Sequence, residues 1–303
     1  MTSPRRIVLK AGWFLAAAAV FAALFVLAVR PWQRTWGASK AEAGRPMPGD
    51  GLVTAADFET TRAVTIKVPP EKVWPWLVQM GFRRGGLYRY DWIDRRLGLL
   101  DAPSANRILP AFQDLKQGMK IPLGKGPAWV VTVMQAPNSL VFDIRRPGIR
   151  ISWSWLLSPA ADGKTRLVLR IRNKKEALPA SSSMMTALDR GEFVMVRRML
   201  SGIKRRAEGN PLPPAVETAE LGLWAAAAIA GFVALIAAFL RKRWKRPFIA
   251  AWAAFVCVFI LAFRQPSLLG GAALVGALLY GLVLSLRKPR ERRRIKPAAS
   301  REA

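Results

Sequence analysis

PPEKVWPWLVQMGFRRGGLYRYDW, residues 69–92, is the densest run of aromatic residues in the long stretch of chain that lies between apolar segments. Pro70 and Glu71 suit the first turn of a helix, where the N–H that proline lacks has no intrahelical partner in any case. Val73, Leu77 and Met80 then share one helical face. Pro75 is expected to kink this helix and Gly81 to end it. Arg83–Gly86 reads as a turn, after which LYRYDW presents Tyr88, Tyr90 and Trp92.

On the N-terminal side, TRAVTIKV (61–68) alternates, with Val64, Ile66 and Val68 on one face and Thr65 and Lys67 on the other, the pattern of a half-buried strand. On the C-terminal side, residues 90–100 permit a second short helix, and SANRILPAFQDLKQG is irregular with a helical turn. Strand patterns follow in MKIPL, WVVTVM, SLVFDIRR, IRISWSWLL and TRLVLRIRN. Turn pairs at Pro137-Asn138, Pro147-Gly148 and Asp162-Gly163 separate the later ones, and these connections are too short for crossover helices. An antiparallel meander is expected. Arg166, Arg170 and Arg172 oppose Leu167, Leu169 and Ile171, so one sheet face should be wet and the other covered. The cover is a helix expected to begin at an Asp189/Glu192 capping box, with Phe193, Val196, Met199, Leu200 and Ile203 as its apolar stripe. Residues 52–210 therefore read as an α+β domain: strand, helix, helical loop, antiparallel sheet, long C-terminal helix.

The flanks have a different character. Residues 11–29 are uncharged and apolar over about the 20 residues that cross a hydrocarbon core, which assigns 1–30 as an uncleaved membrane anchor in preference to a cleaved signal peptide. Residues 31–51 and 211–220 read as linkers, punctuated by Pro and Gly. Residues 221–286 hold three further apolar runs, Leu221–Leu240, Pro247–Phe263 and Ser267–Leu286. In the last of them, Ala272-x-x-x-Gly276 and Ala277-x-x-x-Gly281 are small-residue patterns that suit close helix packing. Basic clusters at RKRWKR (241–246) and in the tail 287–303 are expected to stay cytoplasmic. Four spans then put both termini in the cytoplasm of a plasma or inner membrane and the 52–210 domain on the outer side.

The formal charge of +29 follows that membrane-flanking placement rather than one soluble face, so no nucleic-acid partner is expected. The chain has no histidine, which excludes Ser-His-Asp and Cys-His nucleophile systems and His-containing metal sites. Its single cysteine, Cys257, lies in an apolar run, so no internal disulfide and no thiolate cluster can form. No metal site and no cofactor is expected.

With TRAVTIKVPPEKVWPWLVQMG, RGGLYRYDW and FVMVRRMLSGIKRRAEG in place, the chain between Trp36 and Asn210 resembles the START-like, helix-grip superfamily of polyketide cyclases, plant pathogenesis-related allergens and lipid-transfer domains. It is most similar to the bacterial SRPBCC-type proteins of unassigned function. The resemblance implies an antiparallel sheet wrapped on the long C-terminal helix, with an internal cavity for a lipid or another hydrophobic small molecule.

Tyr88, Tyr90, Trp92, Trp129, Trp153, Trp155, Phe193 and Met199 are the candidate lining of such a site, although aromatics at these spacings also build ordinary cores. No catalytic residue is assigned. Should the domain instead be an enzyme of the cyclase, dehydratase or aromatase type, catalysis would fall to Asp91, Tyr90 or Arg107. A structural or interaction module whose interior is filled by its own side chains is the third reading. The expected partners are the lipid bilayer and a hydrophobic small molecule, and the sequence leaves the oligomeric state open.

Overall fold

The computed structural model describes residues 4–124, 128–146, 149–175 and 182–287. The Pro147-Gly148 turn lies outside these residues, as does the basic tail after Arg287. An N-terminal helix α1, Pro4–Leu24, passes through a π-helical turn at Phe25–Val29 into α2, Arg30–Arg34. A short helix α3, Lys40–Gly44, precedes strand β1, Phe58–Ile66. Helices α4, Pro70–Val78, and α5, Asp91–Arg96, come next. Strands β2, Lys120–Ile121, β3, Trp129–Gln135, β4, Ser139–Arg146, β5, Ile149–Ala160, and β6, Lys164–Lys175, lead to the long helix α6, Ser182–Ala207. Three apolar helices follow: α7, Pro214–Leu240, α8, Lys245–Arg264, and α9, Leu268–Leu286.

The six strands form one antiparallel sheet in the order β1-β6-β5-β4-β3-β2. It is a meander closed on one side by the first strand, because β1 pairs with β6 from Phe58↔Asn173 to Ile66↔Thr165. Asp162 and Gly163 both take positive φ in the β5–β6 turn, the backbone that an Asp-Gly hairpin supplies at least cost. The α6 stripe of Phe193, Val196, Met199, Leu200 and Ile203 is buried. Val196, Met199, Leu200 and Ile203 share one core with Val131 and Phe142 of the sheet and with Val73 and Leu77 of α4. Long helix on antiparallel sheet is the α+β arrangement that the resemblance implies.

Two expectations for this region change. Helix α6 begins at Ser182, upstream of Asp189, so Asp189 is not its N-cap. The Glu192 carboxylate does not reach back to a cap; it accepts two hydrogen bonds from Arg62 Nη1 at 2.8 and 2.9 Å. The arginine face of the sheet is not wet either, because the segment 31–51 lies over it. Arg170 is 3% exposed and donates to the carbonyls of Glu42, Ala43 and Arg45 and to Asp50 Oδ2. Loose in sequence pattern, this segment is fixed by arginine donors meeting main-chain acceptors.

Within it, Ser39 and Glu42 form a reciprocal capping box for α3, and Glu42 also receives Arg166 Nε at 2.7 Å and Nη2 at 2.8 Å. The Arg166 bond, followed by the Ser39 N–H, holds the Glu42 carboxyl down from 4.5 to about 2. A depressed carboxylate contributes stability above its unfolded pKa and loses it as pH falls through the folded one. Wild type is therefore expected to exceed Glu42→Gln by about 1–2 kcal/mol at neutral pH, a figure discounted for solvent screening. The gap should close between pH 4.5 and about 2, read from thermal unfolding in detergent.

The chain divides into two compact units, Phe14–Thr218 and one built from the described residues on either side. In the second unit, Lys10 Nζ donates to the carbonyls of Phe239 and Arg241, placing a cation on the C-terminal end of α7. Small residues Ala227, Ala230 and Ala234 of α7 and Ala250, Ala254 and Cys257 of α8 pack together with Val275, Leu278 and Leu282 of α9. The small-residue patterns expected to pack in α9 face elsewhere. Open space meets the missing Cβ of Gly276 and Gly281, whereas a Cβ at Gly271 would stand 3.1 Å from Leu223 and 3.2 Å from Leu261. The packing face of α9 is thus Gly271, Val275, Leu278 and Leu282, one turn-phase away. Four helical stretches, Ile7–Arg34, Pro214–Leu240, Lys245–Arg264 and Leu268–Leu286, are long and apolar enough to cross a membrane.

Candidate functional site

Strand alternation decides which side chains of the sheet meet α6. On β5, Trp153 and Trp155 point to the helix side, and their cross-strand partners on β4 are Phe142 and Leu140. Trp129 of β3 completes the group. Its ring stacks on Phe142 at 5.1 Å and meets Trp153 at 5.0 Å, and Trp153 meets Trp155 edge-on at 6.4 Å. Trp129 and Trp155 are wholly buried, Trp153 partly. Met199 faces this array from α6 within the same core.

The indole N–H of Trp129 and that of Trp155 are both buried, and neither has a hydrogen-bond acceptor among the described residues. A buried donor left unpaired costs about 1–3 kcal/mol, so two in one aromatic cluster is an unusual expense for a purely structural core. Further orphaned polar atoms stand on the helix-facing side of β1 and β6: Thr60 Oγ1, Arg62 Nη2 and Asn173 Oδ1. Arg62 is fully buried, with Nε donating to the Gln33 carbonyl at 2.8 Å and its guanidinium 5.2 Å over the Phe193 ring. Trp32 meets the Phe193 ring edge-on at 5.2 Å. An aromatic floor with a few uncommitted donors and acceptors is the usual composition of a site for an apolar molecule bearing oxygen.

LYRYDW takes a different place from the one its composition suggests. Tyr88 adopts φ +57, a backbone region that costs a tyrosine about 1–3 kcal/mol. Its neighbours impose it. The Tyr88 N–H donates to Ser104 Oγ at 3.1 Å, its hydroxyl donates to the Trp76 carbonyl at 3.1 Å, and its carbonyl lies against Gly202 of α6. Burial pushes the Tyr88 hydroxyl well above its ordinary pKa, which leaves it a donor and no base. Tyr88 joins the main core, and Tyr90 is buried beneath the Arg198 guanidinium at 4.7 Å. Trp92 lies apart from both, 58% exposed on α5 with Arg96 over its ring. The period of α5 turns it to solvent.

The candidates for catalysis are engaged as follows. Asp91 accepts the Ser104 N–H at 2.7 Å and the Ser104 hydroxyl at 2.6 Å, so both oxygens hold the 104 loop. Arg107 is exposed, and its carbonyl serves the buried Gln79 side chain. Asp94, fully buried, accepts from Arg89 Nε at 2.7 Å, and its second oxygen is orphaned. Burial raises the Asp94 carboxyl to about 6 against the pull of Arg89.

Thr60, Arg62, Asn173, Arg198 and Arg206 are not among the residues that the sequence pattern singles out for a site. For Arg62 the signal was present, since its even position in TRAVTIKV puts it on the Val64 and Ile66 face. For the α6 arginines it was not, because an arginine on a basic helix looks solvated until a loop packs over it.

No family model matches the chain, and no curated protein matches it. Among solved structures it is similar to CalU16 from Micromonospora echinospora, at 15% identity over 51% of this chain and 77% of that one, with a TM-score of 0.31. Protein MLL2253 from Mesorhizobium loti gives 16% identity over 50% and 100%, with a TM-score of 0.29. Hypothetical protein jhp0584 from Helicobacter pylori gives 12% over 54% and 95%, with a TM-score of 0.33.

Proposed function

We propose that the Phe14–Thr218 unit is a membrane-anchored binding domain of the START-like type, which takes a lipid or another hydrophobic small molecule between the sheet and α6. The observation that carries this reading is the pair of buried indole N–H groups, Trp129 and Trp155, without an acceptor in the aromatic array. The ligand lies on the tryptophans with Phe193 and Met199 at the helix side, and an oxygen of the ligand accepts from the indoles. Tyr88 shapes the same core, while Tyr90 and Trp92 frame its surroundings. On this reading the domain works by binding.

The test is a full chain purified in mild detergent, with small molecules extracted and identified by mass spectrometry. Trp129→Phe/Trp155→Phe keeps an aromatic ring at each position and removes both N–H donors. It is expected to melt somewhat below wild type, because phenylalanine is smaller than the fully buried indole, while its content of extracted ligand falls about tenfold, the loss of one to two good hydrogen bonds. An empty extract from wild type, with the double variant more stable than wild type, would identify a self-filled module and overturn the proposal.

The four apolar stretches serve as transmembrane spans of a plasma or inner membrane, with both termini cytoplasmic and the binding domain on the outer side. The basic residues after α7 and in the C-terminal tail support that orientation. Protease added outside spheroplasts should cleave the domain; complete protection with cleavage only after lysis would reverse the topology.

A further inference from the structure

A separate feature belongs to the apolar helices. The start of α8 and the end of α9 meet in a groove of about 560 Å³, within the roughly 300–1,000 Å³ of small-molecule sites. Its floor is made by residues buried where the helices pack, Ala250, Leu278 and Leu282. Beside them Ala253, Ala277 and Gly281 line the groove and are exposed. No described residue stands within 4 Å of the Cβ that Gly281 lacks. The Ala277-x-x-x-Gly281 pattern, turned away from the helix packing, thus opens into a groove that small residues leave wide.

One end of the groove is charged and the rest is apolar. Arg246, in the first turn of α8, and Arg287, just past α9, both line that end. Among the described residues no carboxylate lines the groove. Arg241 Nη1 donates to the Leu286 carbonyl at 2.7 Å, which fixes the terminus of α9 beside Arg287. From Arg246 to Ala253 helix α8 rises about 10 Å, and from Ala277 to Arg287 the chain rises about 15 Å. One leaflet of a bilayer with a core of about 30 Å is about 15 Å deep. Depth and charge therefore match one kind of molecule, an apolar chain as long as a leaflet that ends in an anion at headgroup level. Guanidiniums bind phosphate oxygens at two points, and basic pockets between helices on the cytoplasmic side suit acidic headgroups. A second copy fits less well. In a symmetric pair built on this face, the same arginines of both copies would meet, like charge on like.

We propose that this groove holds an anionic phospholipid of the cytoplasmic leaflet, with an acyl chain along Ala253, Ala277 and Gly281 and its phosphate at Arg246 and Arg287. The site rests on the reading of the four apolar stretches as membrane spans. It is independent of the tryptophan array and stands whether or not that array holds a ligand.

The test is native mass spectrometry of the full chain in mild detergent, titrated with dioleoyl phosphatidylglycerol or with dioleoyl phosphatidylcholine. The first phosphatidylglycerol should half-saturate the chain at a concentration about tenfold below that of phosphatidylcholine, as expected for charge-assisted contacts that no choline cation offsets. In Arg246→Gln/Arg287→Gln that preference should vanish. Lys242, Arg243 and Lys245 remain in this variant, so the flanking charge that orients α8 is kept. Gly281→Leu places a side chain in the open groove and should weaken phosphatidylglycerol binding severalfold at an unchanged melting temperature; it serves if the arginine variant is not recovered from the membrane. Equal binding of the two lipids by wild type, or a preference that survives both variants, overturns the proposal. Lipid-free dimers that separate in Gly281→Leu would make a second copy the occupant and overturn it as well. Alkaline carbonate extraction reports on the spans themselves: release of the chain would sink the membrane reading and the groove with it, whereas a retained chain without lipid preference overturns the groove alone. Trp129→Phe/Trp155→Phe should leave the preference unaltered, which keeps the two binding proposals apart.

Discussion

Glu192→Ala is expected to destabilise the Phe14–Thr218 unit by about 3–5 kcal/mol, the cost of stranding a buried charge. Its partner Arg62 has a side chain only 1% exposed, whereas Glu192 is 24% exposed. The pair is therefore unequal. Removing the carboxylate leaves a guanidinium that cannot reach water and retains only the Gln33 carbonyl and the face of Phe193. Removing the cation leaves a carboxylate at the edge, which water can reach. Arg62→Met should accordingly cost less, about 1–2 kcal/mol, mainly through the Gln33 carbonyl that loses its donor. The double variant Arg62→Met/Glu192→Leu should recover most of the loss, because an apolar pair of similar bulk avoids the desolvation of two ions. Thermal unfolding of the four proteins closes the cycle. A Glu192→Ala effect no larger than that of Arg62→Met would mean that the guanidinium is solvated through some opening of the core.

The same pair shows where sequence reading succeeds and where it stops. Alternation placed the faces of β1 and β6 and the side of the sheet that carries Trp129, Trp153 and Trp155, and the spacing of Phe193, Val196, Met199, Leu200 and Ile203 found the buried stripe of α6, because burial against a sheet imposes a period that the sequence records. The capping box at Asp189 failed for a related reason. Asp followed three residues later by Glu is a local pattern, and a local pattern carries no information about a cation arriving from a strand 130 residues away. The segment 31–51 differs from its pattern in the same way: Pro and Gly mark it as irregular, but irregular backbone is firmly held where its carbonyls meet buried donors, as Arg170 holds Glu42, Ala43 and Arg45. As for the aromatics, the Trp129, Trp153 and Trp155 group was legible from strand parity. That two of the three would lack an acceptor was not, since acceptors come from whichever chain segment happens to face them. The small cleft between Tyr88, Gly202, Arg206 and Glu217 is invisible in the sequence for the plainest reason. It exists only where a loop at 88–90, a helix at 198–206 and the residues at 212–217 meet.

That meeting depends on one residue without a side chain, and its replacement has the second large effect. By intrinsic propensity, Gly202→Ala in the middle of α6 should stabilise the helix by about 0.5–1 kcal/mol. The opposite is expected here. The new methyl would overlap the carbonyl oxygen of Tyr88, which is backbone and cannot rotate aside, and Tyr88 is already held at φ +57 by Ser104 and Trp76. Relief requires α6 and the loop to separate, a net loss on the order of 3 kcal/mol, at the upper end of what overpacking costs. Separation would also lift Tyr88 from beneath Arg206, so the contact between that guanidinium and the ring should be lost together with the melting temperature. At a helix position with free space, such as Gly191, the same change should instead raise the melting temperature slightly, since no described residue stands within 4 Å of its missing Cβ. Comparing Gly202→Ala with Gly191→Ala by thermal unfolding separates close approach from helix propensity. If both raise the melting temperature, the loop does not press on α6 as the geometry states, and the cleft between them has no fixed floor.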